Sequence, residues 1–225
     1  MATVLAFDVN ETLLDLSALE PVFDRVLGDG GLRAQWFPLM LQLGFVGGLT
    51  GDYIDFTTAA RAALRMTAAR AGRDNTDDQV DEVVAAMRRL PAHPDVRPAL
   101  AAVRDAGFRL TALTNSVLAV AEDQLANAGL RDLFEAVYSA DEVRALKPAP
   151  QPYRLVAERS GVPTGDVRLV AAHAWDVTGA LAAGCAAAFV GRGRAVLSPL
   201  GPQPDVVGPD LSAVAVEIIK RDTAR

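Results

Sequence analysis

The chain opens with a short unbroken apolar run, Val4-Leu5-Ala6-Phe7, that stops at an acid, Asp8. A run this short, apolar at every position, predicts a strand buried on both faces. From residue 15 to about residue 90 the rhythm changes. "ALEPVFDRVLG" spaces its apolar residues at helical intervals and halts at "GDGG". "RAQWFPLMLQLGFV" is apolar almost throughout, with Pro38 placed to start or kink a helix. "YIDFTTAARAALRMTAARAG" and "DDQVDEVVAAMRRL" read as two more amphipathic helices. No strand signal intervenes, so this stretch predicts a four-helix insert.

"PAHPDV", residues 91 to 96, punctuates the return, and strands then alternate with helices. A helix over about 97 to 106 precedes the strand "RLTALT". The helix "VLAVAEDQLANAG", a short strand near "AVYSA" and a helix in "PQPYRLVAERSG" follow. After the strand "VRLVAA" come a helix from Trp175, a last strand "AAFVG" and a turn-rich tail that ends helically. Strands separated by helices of this length need right-handed crossovers and give a parallel sheet. The expected fold is α/β: a three-layer, Rossmann-like parallel-sheet core of residues 1–14 and 93–225, with a helical cap domain of residues 15–92 inserted after strand 1. An insert at that point covers the C-terminal strand ends and can keep water from chemistry there.

Composition narrows the function classes. The chain has 225 residues, 51% hydrophobic and 22% charged, with a formal net charge of -6. That length suits one large domain or two small ones. An acidic balance argues against a nucleic-acid surface, which needs a basic field, but leaves room for a local cationic pocket. No long uncharged apolar stretch predicts a membrane span, and no basic segment ahead of the first apolar run suggests a signal peptide. The one cysteine, Cys185, allows no internal disulfide and fits a cytoplasmic location. Set among alanines in "GCAAAFVG", it reads as a buried structural thiol.

The candidate chemistry collects where strands are expected to end. Asp8 comes with Asn10-Glu11-Thr12; the others are Thr114-Asn115-Ser116, Lys147-Pro148 and His173-Ala174-Trp175-Asp176. Singly, each has an ordinary structural reading: a helix cap, a surface lysine, an acid favouring a helix dipole. Together, on the strand edge where open α/β sheets hold ligands, they make one cluster of two acids, a lysine and small hydrogen-bonding groups. A lysine between two carboxylates is expected to keep both ionised, and an ionised, oriented Asp is a covalent nucleophile. His173 lies inside the cluster, whereas His93, in "PAHPDV", reads as a hinge contact.

The order D-x-x-x-T-L, T-N-S, K-P, A-W-D-x-x-G-A resembles the haloacid dehalogenase superfamily. With a helical cap straight after the first motif and the segment "AWDVTGA", it looks like the L-2-haloacid dehalogenase branch, and the resemblance covers nearly the whole chain. It implies that Asp8 is the nucleophile and forms an ester with substrate, that Lys147 holds the Asp8 carboxylate, and that Asp176 completes the polar network and helps the hydrolytic water. Asn10, Thr12, Phe37, Thr114, Asn115, Tyr153, His173 and Trp175 would form the substrate-binding set, with Thr12 bracing the loop, Thr114 and Asn115 on the substrate carboxylate or leaving group, and Trp175 walling the pocket. The implied substrate is a short carboxylate. No metal and no organic cofactor are expected, and the apolar "FPLMLQLGFVGGL" could serve a homodimer.

This chain departs from the pattern at several points. Phosphatases of the superfamily carry a second acid at the place of Asn10 and a magnesium-binding acid at Ala172. Dehalogenases carry a tyrosine at Asn10, an arginine at Phe37, a serine at Ala171 and an asparagine at His173. Phe37 offers nothing to a departing halide, and His173 supplies a cation only when protonated. The expectation is hydrolysis of the carbon–halogen bond of short 2-haloalkanoic acids, with weakened assistance to halide. The alternatives are a magnesium-dependent phosphatase, a hydrolase of another small electrophile, and a non-catalytic homologue that binds a small carboxylate.

Overall fold

The computed structural model describes residues 2–193 and 195–223. Six parallel strands form one sheet in the order β3-β2-β1-β4-β5-β6: β1 (Val4–Phe7), β2 (Arg109–Thr114), β3 (Ala136–Ser139), β4 (Val167–Ala171), β5 (Ala186–Val190) and β6 (Val206–Gly208). β1 lies centrally, with Phe7 level with Ala112 of β2 and with Val170 of β4. The chain order reverses on either side of it, which puts its C-terminal end at the switch point of the sheet.

Alternate residues of β1 face opposite layers, as the pleat requires. Val4 and Ala6 pack with Leu113, Tyr153, Val156, Leu169 and Phe189, beneath α7 (Pro150–Ser160) and α8 (Ala174–Ala182). Leu5 and Phe7 pack on the other side with Leu110, Ala112, Val170 and Val190, beneath α5 (Val96–Asp105) and α9 (Leu211–Thr223). α6 (Leu118–Asn127) joins β2 to β3. Both faces of β1 are buried, which accounts for its uninterrupted apolar run.

Between β1 and α5 stand α1 (Glu20–Leu27), α2 (Arg33–Thr50), α3 (Phe56–Arg70) and α4 (Asp77–Ala86). Their ends follow local chemistry. Asp55 caps α3 by accepting from the Thr57 and Thr58 amides, and Thr76 with Gln79 forms a capping box on α4. Trp36, wholly buried, donates its indole N–H to the Ala60 carbonyl at 3.0 Å and so pins α2 to α3. The chain leaves and re-enters the sheet side by side: Asp15 N donates to Pro91 O, and His93 N to Leu13 O. His93 also reaches the Glu11 carbonyl at 3.3 Å, a hinge contact of the expected kind.

The structure corrects three expectations. Pro38 does not start a helix: α2 begins at Arg33 and runs through it. The missing proline N–H leaves the Ala34 carbonyl without its intrahelical donor, a loss confined to one turn. The tail is not merely turns and a helix, because β6 adds a sixth strand beside β5. That edge is tied down by Arg168, buried in β4, which donates to both Asp205, just before β6, and Asp222 on α9. Finally, Lys147 does not stand at the end of a strand. It follows β3 by a turn of 3-10 helix, Ala140–Val143, and a loop. Among the described residues no helix is long and apolar enough to cross a membrane.

Candidate active site

Asp8 continues β1 by one residue, its N–H bonded to the Val170 carbonyl at 3.0 Å, and its side chain is buried. Each carboxylate oxygen has its own donor. Lys147 Nζ reaches Oδ1 at 2.8 Å, and the Thr12 hydroxyl donates to Oδ2 at 2.6 Å. Thr12 in turn accepts from the Ala172 amide at 2.9 Å, so the carboxylate is referenced to the end of β4. The remaining two hydrogens of the ammonium go to Asp176 Oδ2 at 2.6 Å and to the Leu113 carbonyl at 2.9 Å. Tyr153 donates to Asp176 Oδ1 at 2.6 Å. Every donor of the lysine is used, which holds Asp8 in one rotamer.

Burial alone would raise the Asp8 carboxyl, but Lys147, His173 and the two hydrogen bonds outweigh it and hold the group below the usual carboxylate range. Burial also opposes the Lys147 charge, yet Asp176 and Asp8 together hold the ammonium above its ordinary value. Asp176 behaves differently from expectation. One lysine does not keep both acids low: complete burial, together with the nearby Asp8 charge, raises Asp176 despite Lys147. Asp8 is therefore the ionised member of the pair and Asp176 the readier to take a proton. Tyr153, buried against Asp176, is pushed well above its ordinary range and stays a donor.

A small cavity of about 10 Å³ touches Asp8, walled by Asn10, Asn115, His173 and Trp175 of the core and by Phe37, Leu41 and Phe56 of the insert. A water needs about 10–15 Å³ of such space, so the room beside Asp8 is that of about one water. Three aromatic rings stack across one wall: Phe37 lies 5.8 Å from His173, and His173 5.2 Å from Trp175, centroid to centroid. His173 Nε2 stands 3.8 Å from Asp8 Oδ2 and 3.7 Å from Glu11 Oε2. Glu11 itself sits at φ 61°, a left-handed conformation uncommon outside glycine, in the tight loop that carries Asn10 and Thr12. A wider cavity of about 510 Å³ lies beside this one. It shares His173 and Trp175 and is bordered by Glu11, Arg33, His93 and Arg192, but Asp8 is not on its wall.

The family model of haloacid dehalogenase-like hydrolases matches residues 2–184. The chain belongs to that family. It is 30% identical to haloacetate dehalogenase H-2 of Moraxella sp. (strain B) over 93% of this chain and 95% of that one. It is 31% identical to the (S)-2-haloacid dehalogenase of Xanthobacter autotrophicus over 85% of this chain and 76% of that one. The L-2-haloacid dehalogenase of Xanthobacter autotrophicus with chloropropionic acid covalently bound superposes with a TM-score of 0.90, at 27% identity, over 98% of this chain and 99% of that one. Haloacid dehalogenase-like hydrolases are enzymes, and this chain presents a carboxylate held low, a buried counter-ion and a small cavity at the sheet edge.

The predicted site residues divide in two. Asp8, Asn10, Phe37, Asn115, His173 and Trp175 meet at the cavity. Thr12, Thr114, Lys147, Tyr153 and Asp176 do not line it, Lys147 and Asp176 lying behind Asp8. Thr12 and Tyr153 stand behind the two acids as donors, and the Thr114 hydroxyl accepts from the Ser116 amide at 3.1 Å. Thr12 braces the loop as expected, tying Asp8 to the Ala172 amide, whereas Thr114, expected on the substrate carboxylate or leaving group, has its hydroxyl committed to the Ser116 amide. Leu41 and Phe56 went unrecognised because an apolar residue on an insert helix carries no signal that distinguishes a cavity wall from a core. Gln124 also escapes the sequence reading, although a glutamine at an inward position of α6 is a visible anomaly; Ser116 belongs to the expected Thr114-Asn115-Ser116 stretch and accepts from Asn10 Nδ2 at 3.2 Å. Cys185 is structural: it is buried, and burial pushes its thiol up to about 12.

Proposed function

We propose that this protein hydrolyses the carbon–halogen bond of short (S)-2-haloalkanoic acids through an ester on Asp8. The observation that carries the reading is the Asp8 carboxylate itself, buried yet held ionised by Lys147 and Thr12 against a small, partly apolar cavity. A likeness to the chain that carries chloropropionic acid covalently bound supports it. An Asp8 oxygen attacks C2 of the substrate, the carbon–halogen bond breaks, and halide leaves with the electron pair. Water then adds at the carboxyl carbon of Asp8, and the acyl–oxygen bond breaks. The hydroxy acid departs with the former Asp8 oxygen, and Asp8 keeps the oxygen from water. In-line attack inverts C2. His173 Nε2 faces the Asn10 carbonyl oxygen at 3.2 Å and so carries the ring N–H, and the proton of that water passes to Nδ1 of the neutral ring.

On this reading residues 15–92 are a cap domain over a core of residues 1–14 and 93–225. A cavity that holds about one water admits a haloacid only when Phe37, Leu41 and Phe56 draw away from Asp8, Asn10 and Asn115. The partner is a small carboxylate rather than a nucleic acid or a membrane. Val46 and Leu49, exposed on α2, suit a second copy in a homodimer. The buried lone thiol suits the cytoplasm. The test is turnover of 2-chloropropionate in heavy-oxygen water, followed by mass spectrometry of the peptide that contains Asp8. Heavy oxygen in Asp8 is the expected result. Heavy oxygen in the hydroxy acid alone, after single turnover, would mean direct attack by water and would refute the ester.

A further inference from the structure

We propose that Gln124, on α6, is a positioning residue: it turns the Asn10 amide so that an N–H of Asn10 points into the Asp8 cavity as a donor to substrate anion. The inference rests on the dehalogenase reading for what the anion is, and on geometry alone for the orientation. Gln124 is fully buried, and its Oε1 has no hydrogen-bond partner among the described residues. An orphaned buried acceptor is costly, and an apolar residue would fill this helix position without that cost. The role of the side chain therefore lies in its nitrogen.

Gln124 Nε2 lies 3.0 Å from the Met87 carbonyl oxygen and 3.0 Å from Asn10 Oδ1. A peptide carbonyl only accepts, so the Gln124 atom facing Met87 must be the donor nitrogen. The Asn10 atom facing the same nitrogen must then be its oxygen. Nδ2 of Asn10, a residue that lines the cavity, is left facing Ser116 Oγ at 3.2 Å. One of its hydrogens goes to Ser116; the other is free for a ligand. Asn115, across the cavity, is oriented directly by the main chain of Lys147, whose N–H donates to Oδ1 at 2.8 Å and whose carbonyl accepts from Nδ2 at 3.2 Å. Both amides of the cavity are thus set by backbone groups, Asn115 at first hand and Asn10 through Gln124.

This matters because Phe37 contributes no donor where negative charge develops on a leaving halide. An amide flipped the other way would present lone pairs to that charge. Met87 opens the last helical turn of the insert, Met87–Arg89, so the donor faces inward only when that turn is seated against α6. Leaving-group assistance is thereby linked to closure over the site.

The test compares the wild type with Gln124→Leu, Gln124→Glu, Asn10→Ala and the Asn10→Ala/Gln124→Leu double variant. Halide release from 2-chloropropionate is followed across pH, with kcat and KM separated. Gln124→Leu should lower kcat about tenfold, less than the complete loss of a donor, and should cost nothing further once Asn10 is alanine. Gln124→Glu keeps one donor while protonated. Once ionised it accepts from Asn10 Nδ2 and reverses the amide, so its kcat should fall as pH rises where the wild type stays level. A packing role alone would change neither the pH profile nor the coupling to Asn10. A second measurement needs no turnover: bromide titration of labelled protein, read at the Asn10 side-chain amide resonances. The wild type should show a shift that Gln124→Leu, or Gln124→Glu if the leucine variant does not fold, abolishes. A shift that persists in the variants, or is absent from the wild type, overturns the proposal. A bromide shift that depends on Gln124 in a protein releasing no halide would retain the positioning role and reject the dehalogenase reading instead.

Discussion

Replacing Lys147 by methionine keeps the unbranched stem to Cε and removes the ammonium, with its charge and all three of its donations. Those bonds, to Asp8 Oδ1, Asp176 Oδ2 and Leu113 O, are each 2.9 Å or shorter, and the lysine side chain is 1% exposed. Without the ammonium, two carboxyls remain in one buried site with no counter-charge. Breaking a buried pair in this way costs about 3–5 kcal/mol, a large share of the roughly 5–15 kcal/mol that holds a domain folded. Protonating a carboxyl relieves part of the cost, and Asp176, already raised by burial and by Asp8, takes the proton first.

The sign of the pH dependence follows. In the wild type the lowered Asp8 contributes stability above its unfolded pKa of about 3.9, and that contribution is lost as pH falls through the still lower folded value. In Lys147→Met the folded carboxyls lie above their unfolded values. Their stability is then fully present only below about pH 3.9 and is lost as pH rises through the raised values. The deficit of the variant should therefore widen from acid to neutral pH. Urea unfolding of both proteins at several pH values between about 4 and 8 measures it, with fluoride- or chloride-release activity as a companion readout that should vanish. A deficit independent of pH, or one below about 1 kcal/mol near neutrality, the worth of an exposed pair, would refute the charge argument.

Three further outcomes are expected. Phe37→Arg places a cation on the cavity wall beside Asp8 and should raise halide release at least tenfold, about 1.4 kcal/mol of barrier; an unchanged or lower rate in a folded variant would remove Phe37 from the leaving-group side. Because Asp8 is held below the usual carboxylate range, the acid limb of kcat/KM should lie below about pH 3.9 for as long as the fold survives, and a nucleophile titrating near pH 5 or 6 would contradict the Lys147 geometry. Turnover should withstand excess EDTA, because Lys147 Nζ fills the space between Asp8 and Asp176, and among the described residues no three His, Cys, Asp or Glu side chains gather as a metal site; a loss restored by magnesium would favour the phosphatase alternative.

The apolar runs of β1, β2 and β4 and the helical spacing of the insert are properties of neighbouring residues, and they show in the sequence without the fold. Asp8, Lys147 and Asp176 were legible for a related reason: their motifs recur in a fixed order, and an acid that ends a buried strand is costly without a partner. β6 was not legible, since three residues become a strand only when β5 lies alongside and Arg168 draws in Asp205 and Asp222. Nor could local pattern separate Thr114 and Tyr153, turned toward Ser116 and Asp176, from Asn115 on the cavity wall. The same holds for the route from Met87 through Gln124 to Asn10, in which residues 37 and 114 positions apart share one amide nitrogen. Whether a buried carboxyl is raised, as in Asp176, or lowered, as in Asp8, depends on which charges lie within a few ångströms. Hydrogen-bond direction and pKa are set by such distances between remote segments, and those distances exist only once the chain has folded.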